Sequence, residues 1–167
     1  CSLGGAIGGR STGTFGTASC FSFHPRKSLT TGEGGMVLAD DQELADRMRR
    51  LRNHGTERVG WRSSFVEPGY NFRLSDMNAA VGLAQVAGFP EVVSRRRELA
   101  SRLSRSLESI ADVTPQSIPS GHQHPFQAFV VRCDPGLDRD RLIAELRDLG
   151  VEATLGTYAM HAEPAFS

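Results

Sequence analysis

The chain has 167 residues, which is enough for a domain of ordinary size with a sizeable core. Its 19 basic and 19 acidic residues give a formal net charge of zero, so the charge balance does not favour nucleic acid or an anionic membrane as a partner. No apolar run approaches the roughly 20 residues that a membrane span needs. The three cysteines, Cys1, Cys20 and Cys133, form no CxxC pair, which disfavours a disulfide framework or a zinc site and favours the reducing cytoplasm.

The first nineteen residues hold six of the eighteen glycines, a density that predicts turns and close backbone approach more than regular structure. A dinucleotide-binding fingerprint is disfavoured because no apolar strand precedes these glycines and no helical pattern follows them. A phosphate-binding loop is excluded because no glycine loop ends in Gly-Lys-Ser or Gly-Lys-Thr.

The next stretch, Cys20 to Leu38, predicts a strand, a turn and a second strand. Strand alternation directs Phe21 and Phe23 into a core and turns Ser22 and His24 to the opposite face. Pro25 restricts His24 to an extended conformation, so the strand ends there and the chain turns before Lys27. Lys27 is the only lysine of the chain and is displayed on this turn.

Three helices are predicted in the middle of the chain. Asp40 and Asp41 can cap a first helix that runs to about Arg52, with Gly55 as its stop, and the irregular stretch from Thr56 to Gly69 predicts a loop. Ser75 and Asp76 open an alanine-rich helix from Met77 to Val86, in which Gly82 permits close packing. After Phe89-Pro90 an amphipathic helix runs to about Ser109.

A second, smaller α/β unit is predicted after a linker from Thr114 to Gly121. Its elements are a strand (Phe126 to Arg132), a helix (Asp138 to Leu149, stopped by Gly150) and a strand (Val151 to Leu155). His122 and His124 could suggest a metal site, but they lack a nearby carboxylate or thiol ligand, and a surface turn is the favoured interpretation.

Three segments resemble one known family in the right order: Phe21 to Val37 (FSFHPRKSLTTGEGGMV), Leu51 to Gly55 (LRNHG) and Gly69 to Ala80 (GYNFRLSDMNAA). A fourth segment, Gly156 to His161, fits loosely. The family is that of the DegT/DnrJ/EryC1/StrS sugar aminotransferases, which use pyridoxal 5'-phosphate (PLP). The resemblance covers essentially the whole chain.

The resemblance implies an α/β fold that is part of the aspartate aminotransferase-like, type I fold of PLP-dependent transferases. It assigns residues 1–88 to the C-terminal part of the large PLP-binding domain, residues 89–113 to a connecting helix and residues 114–167 to a partial small domain. The chain would be an internal piece that lacks roughly the N-terminal half, a short C-terminal stretch and the aspartate that pairs with the ring nitrogen of PLP. We therefore expect this piece alone to bind PLP poorly and not to turn over.

The same resemblance implies roles for individual residues. Lys27 would hold PLP covalently and act as the catalytic acid and base, and arginine cannot replace an amine in that role. Ser22 would bind the phosphate of PLP, and His24 would contact the cofactor or the substrate. Asn71, and more weakly Arg73, would reach the phosphate from the neighbouring subunit of a homodimer with a shared active site. Tyr158 and His161 would meet the substrate.

The implied reaction moves an amino group from glutamate or glutamine to a keto group of a nucleotide-linked sugar. Such amino sugars serve cell-surface polysaccharides or secondary metabolites. An alternative is a regulatory or sensor protein that binds PLP on the same fold without catalysis, and a plain interaction domain is a further one. A sugar dehydratase of the same fold is disfavoured because those proteins have another residue in place of the lysine.

Overall fold

The computed structural model describes residues 1–166, and these residues divide into two compact units. The first unit comprises Cys1–Ala100 and Ile118–Gln127, and the second comprises Ser101–Ser117 and the chain from Ala128 onwards. The predicted domain boundaries at residues 88 and 113 remain predictions. In the described part of the chain, every helix is too short or too polar to cross a membrane.

Strands β3 (Ala18–Ser22) and β4 (Gly35–Ala39) form an antiparallel pair in the first unit. Ala18 lies opposite Ala39, and Ser22 lies opposite Gly35. The strands, the turn between them and the predicted alternation are confirmed.

The buried side chains that alternation predicted form the core of this unit. Phe21 and Phe23 are 9% and 7% exposed, and they cluster with Leu29, against which Leu3 and Phe89 pack. Burial of such aromatic side chains contributes about 1.5–3 kcal/mol each to stability. The core therefore lies directly beneath the turn that carries the lysine.

Helix α1 (Gln42–Leu51) begins as predicted, since the Asp41 carboxylate accepts a hydrogen bond from the Leu44 N–H at 2.6 Å. It ends at Leu51, beyond which His54 and Gly55 adopt left-handed conformations, with φ of 60° and 67°, and the Gly55 N–H donates to the Arg50 carbonyl at 2.9 Å. The predicted stop at Gly55 is therefore confirmed.

The stretch after α1 forms a hairpin, so the predicted loop from Thr56 to Gly69 is wrong for most of its length. Strands β5 (Thr56–Val59) and β6 (Arg62–Phe65) pair in register, with Val59 opposite Arg62 across the two-residue turn Gly60-Trp61. Seven of the eight strand residues are exposed, so no alternation of apolar and polar residues marked these strands in the sequence. Glu67, just beyond β6, binds Arg50 of α1 at 3.1 Å.

Helices α2 (Asp76–Val86) and α3 (Phe89–Leu107) match their predicted spans closely. The Ser75 hydroxyl caps α2 by accepting the Asn78 N–H at 3.2 Å. Gly82 is buried in α2, and a Cβ there would lie 2.8 Å from Cγ2 of Thr31. The predicted close packing at Gly82 is thus confirmed, and it brings α2 against the chain that follows Lys27.

The glycine-rich start of the chain contains two short strands, β1 (Ala6–Ile7) and β2 (Arg10–Ser11), joined by turns. Strand β1 also pairs with β8 (His122–Gln123), which places the start of the chain beside residues far along the sequence. Short strands between turns agree with the predicted scarcity of regular structure.

The second unit contains β7 (Val113–Pro115) paired antiparallel with β9 (Val131–Cys133), and helix α4 (Arg139–Asp148). Asp138 caps α4, and Gly150 follows it with φ of 79°. Two predicted strands are wrong: only the end of Phe126 to Arg132 enters β9, and Val151 to Leu155 has no strand structure. The apolar residues of Val151 to Leu155 gave a strand pattern but have no pairing partner in the described chain. Two short 3-10 turns follow, Met160–Ala162 and Pro164–Phe166.

Candidate functional site

The connection between β3 and β4 presents Lys27 on a tight turn. The Phe23 N–H donates to the Gly34 carbonyl at 2.9 Å, which extends the pairing of the strands by one step. The Lys27 N–H then donates to the His24 carbonyl at 2.9 Å and closes a four-residue turn with Pro25 in its second position. Proline favours this position because its ring presets φ. The predicted turn before Lys27 is confirmed.

The chain after Lys27 is anchored to the core strand. The Thr31 N–H and the Thr30 hydroxyl both donate to the Phe23 carbonyl, at 3.0 and 2.9 Å. Thr31 is 4% exposed and donates its hydroxyl to the Glu33 carbonyl at 2.9 Å. These hydrogen bonds tie Thr30 and Thr31 to the backbone around them, so the chain that directly follows Lys27 is anchored.

Helix α2 supplies a second anchor through Gln85. Its side-chain amide donates to the Thr30 carbonyl at 2.7 Å, and its amide oxygen accepts the Thr30 N–H at 3.2 Å. The two bonds satisfy both backbone groups of Thr30, as a neighbouring strand would. Gln85 was missed in the sequence because it lies 55 residues from Thr30.

The Lys27 side chain is half-buried, and its Nζ lies 2.8 Å from Sγ of Cys1, which is exposed. The contact brings a primary amine and a thiol together at one point of the surface. The sequence did not suggest this neighbour, because the two residues lie 26 positions apart.

Ser22 and His24 lie on the strand end that leads into the turn. The Ser22 hydroxyl accepts the His24 N–H at 3.3 Å, and Nδ1 of His24 accepts the Arg26 N–H at 3.2 Å. Nε2 of His24 lies 3.9 Å from a carboxylate oxygen of Glu33. Ser22 is exposed and His24 half-buried, so both present polar atoms at the surface that carries Lys27.

Ser28, directly after the turn, is a further polar residue that was not predicted from the sequence. Its hydroxyl oxygen is buried and has no hydrogen-bond partner in the described part of the chain. Buried polar groups are usually satisfied, so such a hydroxyl is an available donor beside Lys27.

Asn71 and Arg73 lie next to the end of α1. Asn71 forms an isolated antiparallel bridge with Asn53, whose side-chain oxygen accepts a hydrogen bond from Arg73 at 2.7 Å. Between them, Phe72 stacks on Tyr70 with ring centroids 4.8 Å apart. The contacts found for these two predicted residues therefore join them to Asn53, and their role towards a neighbouring subunit stays a prediction.

Tyr158 and His161 belong to the second unit. Tyr158 is 64% exposed, and His161 lies in the 3-10 turn Met160–Ala162. Their predicted contact with substrate stays a prediction.

The histidines considered for a metal site have other partners. Nδ1 of His124 accepts the Phe126 N–H at 3.1 Å, and its ring packs edge-on against Phe126 at 4.7 Å. Burial, and secondly the charge of Arg97, lower the pKa of His124 and favour its neutral form. Residues 1–166 contain no group of three or more potential metal ligands.

Comparison with solved structures shows the fold. TlmJ from Streptoalloteichus hindustanus, an aminotransferase, is 33% identical with a TM-score of 0.87, and the match covers 98% of this chain and 44% of that chain. A DegT DnrJ EryC1 StrS aminotransferase from Brucella abortus is 28% identical with a TM-score of 0.87, and the match covers 98% of this chain and 43% of that chain. Helicobacter pylori PseC, an aminotransferase involved in the biosynthesis of pseudoaminic acid, is 26% identical with a TM-score of 0.90, over 98% and 45%.

These matches confirm the predicted fold class, a part of the α/β fold of PLP-dependent aminotransferases. The chain spans less than half the length of the solved structures that it matches. A model of the DegT/DnrJ/EryC1/StrS aminotransferase family matches residues 1–167. The chain therefore belongs to the DegT/DnrJ/EryC1/StrS aminotransferase family.

Proposed function

We propose that the chain is part of a PLP-dependent aminotransferase that transfers an amino group from glutamate or glutamine to a keto group of a nucleotide-linked sugar. The observation that carries the proposal is the display of Lys27, the only lysine, on a turn anchored between β3 and β4. Membership of the family and the role of PseC in the biosynthesis of pseudoaminic acid support it. The product would enter cell-surface polysaccharides or secondary metabolites.

The residues of the turn and of the chain on either side of it fit a phosphate-bearing aldehyde. Lys27 offers a primary amine, the group that combines with aldehydes, and Ser22 offers an exposed hydroxyl. Ser28 adds a hydroxyl with no hydrogen-bond partner in the described chain. Hydroxyl groups are suitable donors to a phosphate dianion, because bonds to charged acceptors are stronger than neutral ones.

Lys27 then has two tasks. It holds the coenzyme in place, and its freed amine carries a proton between carbon atoms of the bound substrate. When bound, PLP supplies an electron-accepting ring that stabilises negative charge on the substrate carbon. Ser22 would bind the coenzyme phosphate and His24 would face the coenzyme or the substrate.

The intact protein would work as a homodimer with a shared site, in which Asn71 and Arg73 reach the partner's coenzyme. The stacked pair Tyr70 and Phe72 supports an interface at this segment, because both rings are largely exposed, by 60% and 71%. Tyr158 and His161 would contact the substrate. The cytoplasm is the proposed compartment.

Covalent labelling tests the assignment of Lys27. The intact protein that contains this chain is loaded with PLP, reduced with borohydride and digested, and the labelled peptide is mapped. We expect the label on Lys27 and its loss in Lys27→Arg, which keeps the charge but cannot combine with the aldehyde. A label on another residue, or none, refutes the assignment.

A second measurement separates the enzyme from a sensor. A separate sample is loaded with PLP but not reduced and is mixed with glutamate, and the change in coenzyme absorbance is followed before a keto-sugar nucleotide is added. Conversion by glutamate and its reversal by the sugar support the aminotransferase. Stable absorbance despite labelled Lys27 supports a regulatory protein and refutes the proposed reaction.

A further inference from the structure

We propose that Cys1 and Lys27 form an oxidation-sensitive pair, in which peroxide joins the two side chains through a reversible sulfur–nitrogen bond. The cross-link goes beyond the proposed function and does not depend on it. Its consequence, the release and recapture of the coenzyme lysine, rests on the proposed function.

The geometry brings the reacting atoms together. Sγ of Cys1 and Nζ of Lys27 are 2.8 Å apart, so a bond can form by side-chain rotation without movement of the backbone. Cys1 is exposed in the described chain, which leaves its sulfur open to a small oxidant there. Lys27 is the only lysine, so no other lysine of this chain competes for the oxidised sulfur.

The chemistry balances with hydrogen peroxide as the named oxidant. The Cys1 thiol gives its proton to the Lys27 amine, and the thiolate attacks hydrogen peroxide, whose O–O bond breaks. The leaving hydroxide takes that proton back from the ammonium as one water molecule, so sulfur, oxidised by two electrons, is a sulfenic acid and the amine is neutral again. The neutral Lys27 amine then attacks that sulfur, the S–OH bond breaks, and the hydroxyl leaves as a second water molecule with a proton from nitrogen. The product, Cys–S–NH–Lys, is lighter than the reduced pair by two hydrogen atoms.

The amine assists the first step as well as the second. A neutral amine beside a thiol can accept its proton, and the thiolate is the form that peroxide attacks. Added dithiothreitol reverses the link: it attacks the sulfur, restores the Cys1 thiol and the Lys27 amine, and is itself oxidised to a disulfide.

The pair would link the redox state to coenzyme loading. Cross-linked Lys27 has lost the free amine that PLP needs, so oxidation blocks loading until a reductant acts. Bound PLP occupies the same nitrogen and would protect it from the cross-link. Cys20 provides the matched control, because it is also exposed and lies in β3 of the same unit.

Peptide mapping of the PLP-free intact protein tests the cross-link. The protein is treated with hydrogen peroxide, digested with trypsin without reductant and analysed by mass spectrometry. We expect loss of the peptide Ser28–Arg47 and the appearance of Lys27–Arg47 joined to the peptide that contains Cys1 and ends at Arg10. The cross-linked peptides should disappear after dithiothreitol and be absent from Cys1→Ser. They should still form in Cys20→Ser and should not form in protein preloaded with PLP.

Several results would overturn the inference. Recovery of Ser28–Arg47 in full, with Cys1 present as sulfinic acid or in a disulfide, means that the amine does not capture the sulfur. Persistence of the cross-link in Cys1→Ser would assign it to another sulfur. Because this mapping uses PLP-free protein, its failure leaves the borohydride labelling of Lys27 as an independent test of the proposed function.

Discussion

The two hydrogen bonds between Gln85 and the backbone of Thr30 predict how firmly the lysine segment is held. We consider Gln85→Met, which keeps the length of the side chain but removes both bonds. A neutral hydrogen bond contributes about 1 kcal/mol net, so the two together contribute about 2 kcal/mol. The variant should therefore lower the free energy of local opening around Thr30 by that amount.

Native-state hydrogen exchange measures this opening directly. We expect the Thr30 amide of Gln85→Met to exchange about thirtyfold faster than in the unchanged protein, since each 1.4 kcal/mol is about a factor of ten. Gln42→Met is the control, because Gln42 bonds only across an exposed turn of α1 to Asp46. Its effect should stay within about 0.5 kcal/mol and leave Thr30 unchanged. Unchanged exchange of Thr30 in Gln85→Met, or equal acceleration in Gln42→Met, would refute the reasoning.

Four further substitutions test the first unit. Gly55→Ala should cost more than about 3 kcal/mol in urea unfolding, because the new Cβ would overlap the Glu67 carbonyl oxygen at a φ of +67°. Gly60→Ala, which has a similar φ but open space, should cost about 1–2 kcal/mol; equal losses would contradict the steric argument. The hydrogen bond from Arg50 lowers the pKa of Glu67, so its stabilisation is present above about pH 4.3 and lost as pH falls through the lower folded value. Glu67→Gln should flatten acid unfolding in that window, and an unchanged profile would show that the ion pair adds nothing. Burial lowers the pKa of His124, so the contribution of neutral His124 to stability is present above about pH 6.5 and is lost as pH falls. His124→Asn should therefore reduce the pH dependence of thermal unfolding between about pH 7 and 5. An undiminished slope would contradict this role of His124.

Local signals in the sequence predicted the elements that position the lysine. Asp41 and Ser75 accept the backbone N–H three residues ahead, which is a property of a few adjacent residues and can be read without the fold. Pro25 likewise fixes the turn before Lys27 by restricting its immediate neighbour. These features were correct because their physical causes are local.

Most of the features that were predicted wrongly or not at all depend on residues that lie far apart in the chain. The hairpin of β5 and β6 has mostly exposed strands and no apolar alternation, so only its two-residue turn at Gly60 could have indicated it. Strand β1 acquires its partner β8 from more than a hundred residues away, and the apolar stretch from Val151 to Leu155 finds no partner in the described chain. The contact of Lys27 with Cys1 likewise depends on the fold, which brings together two residues that are distant in the sequence.

The two hydrogen bonds between Gln85 and Thr30 also have a consequence for the order of folding during synthesis. The ribosome releases Lys27 before Gln85, so the nascent lysine segment lacks its second anchor until α2 has emerged and docked. We expect that a nascent chain arrested before α2 presents Lys27 on a loop that lacks the Gln85 bonds. The ordered segment that carries Lys27 would form only after α2 has docked. Capture of a coenzyme would then be a late event in the biogenesis of this protein.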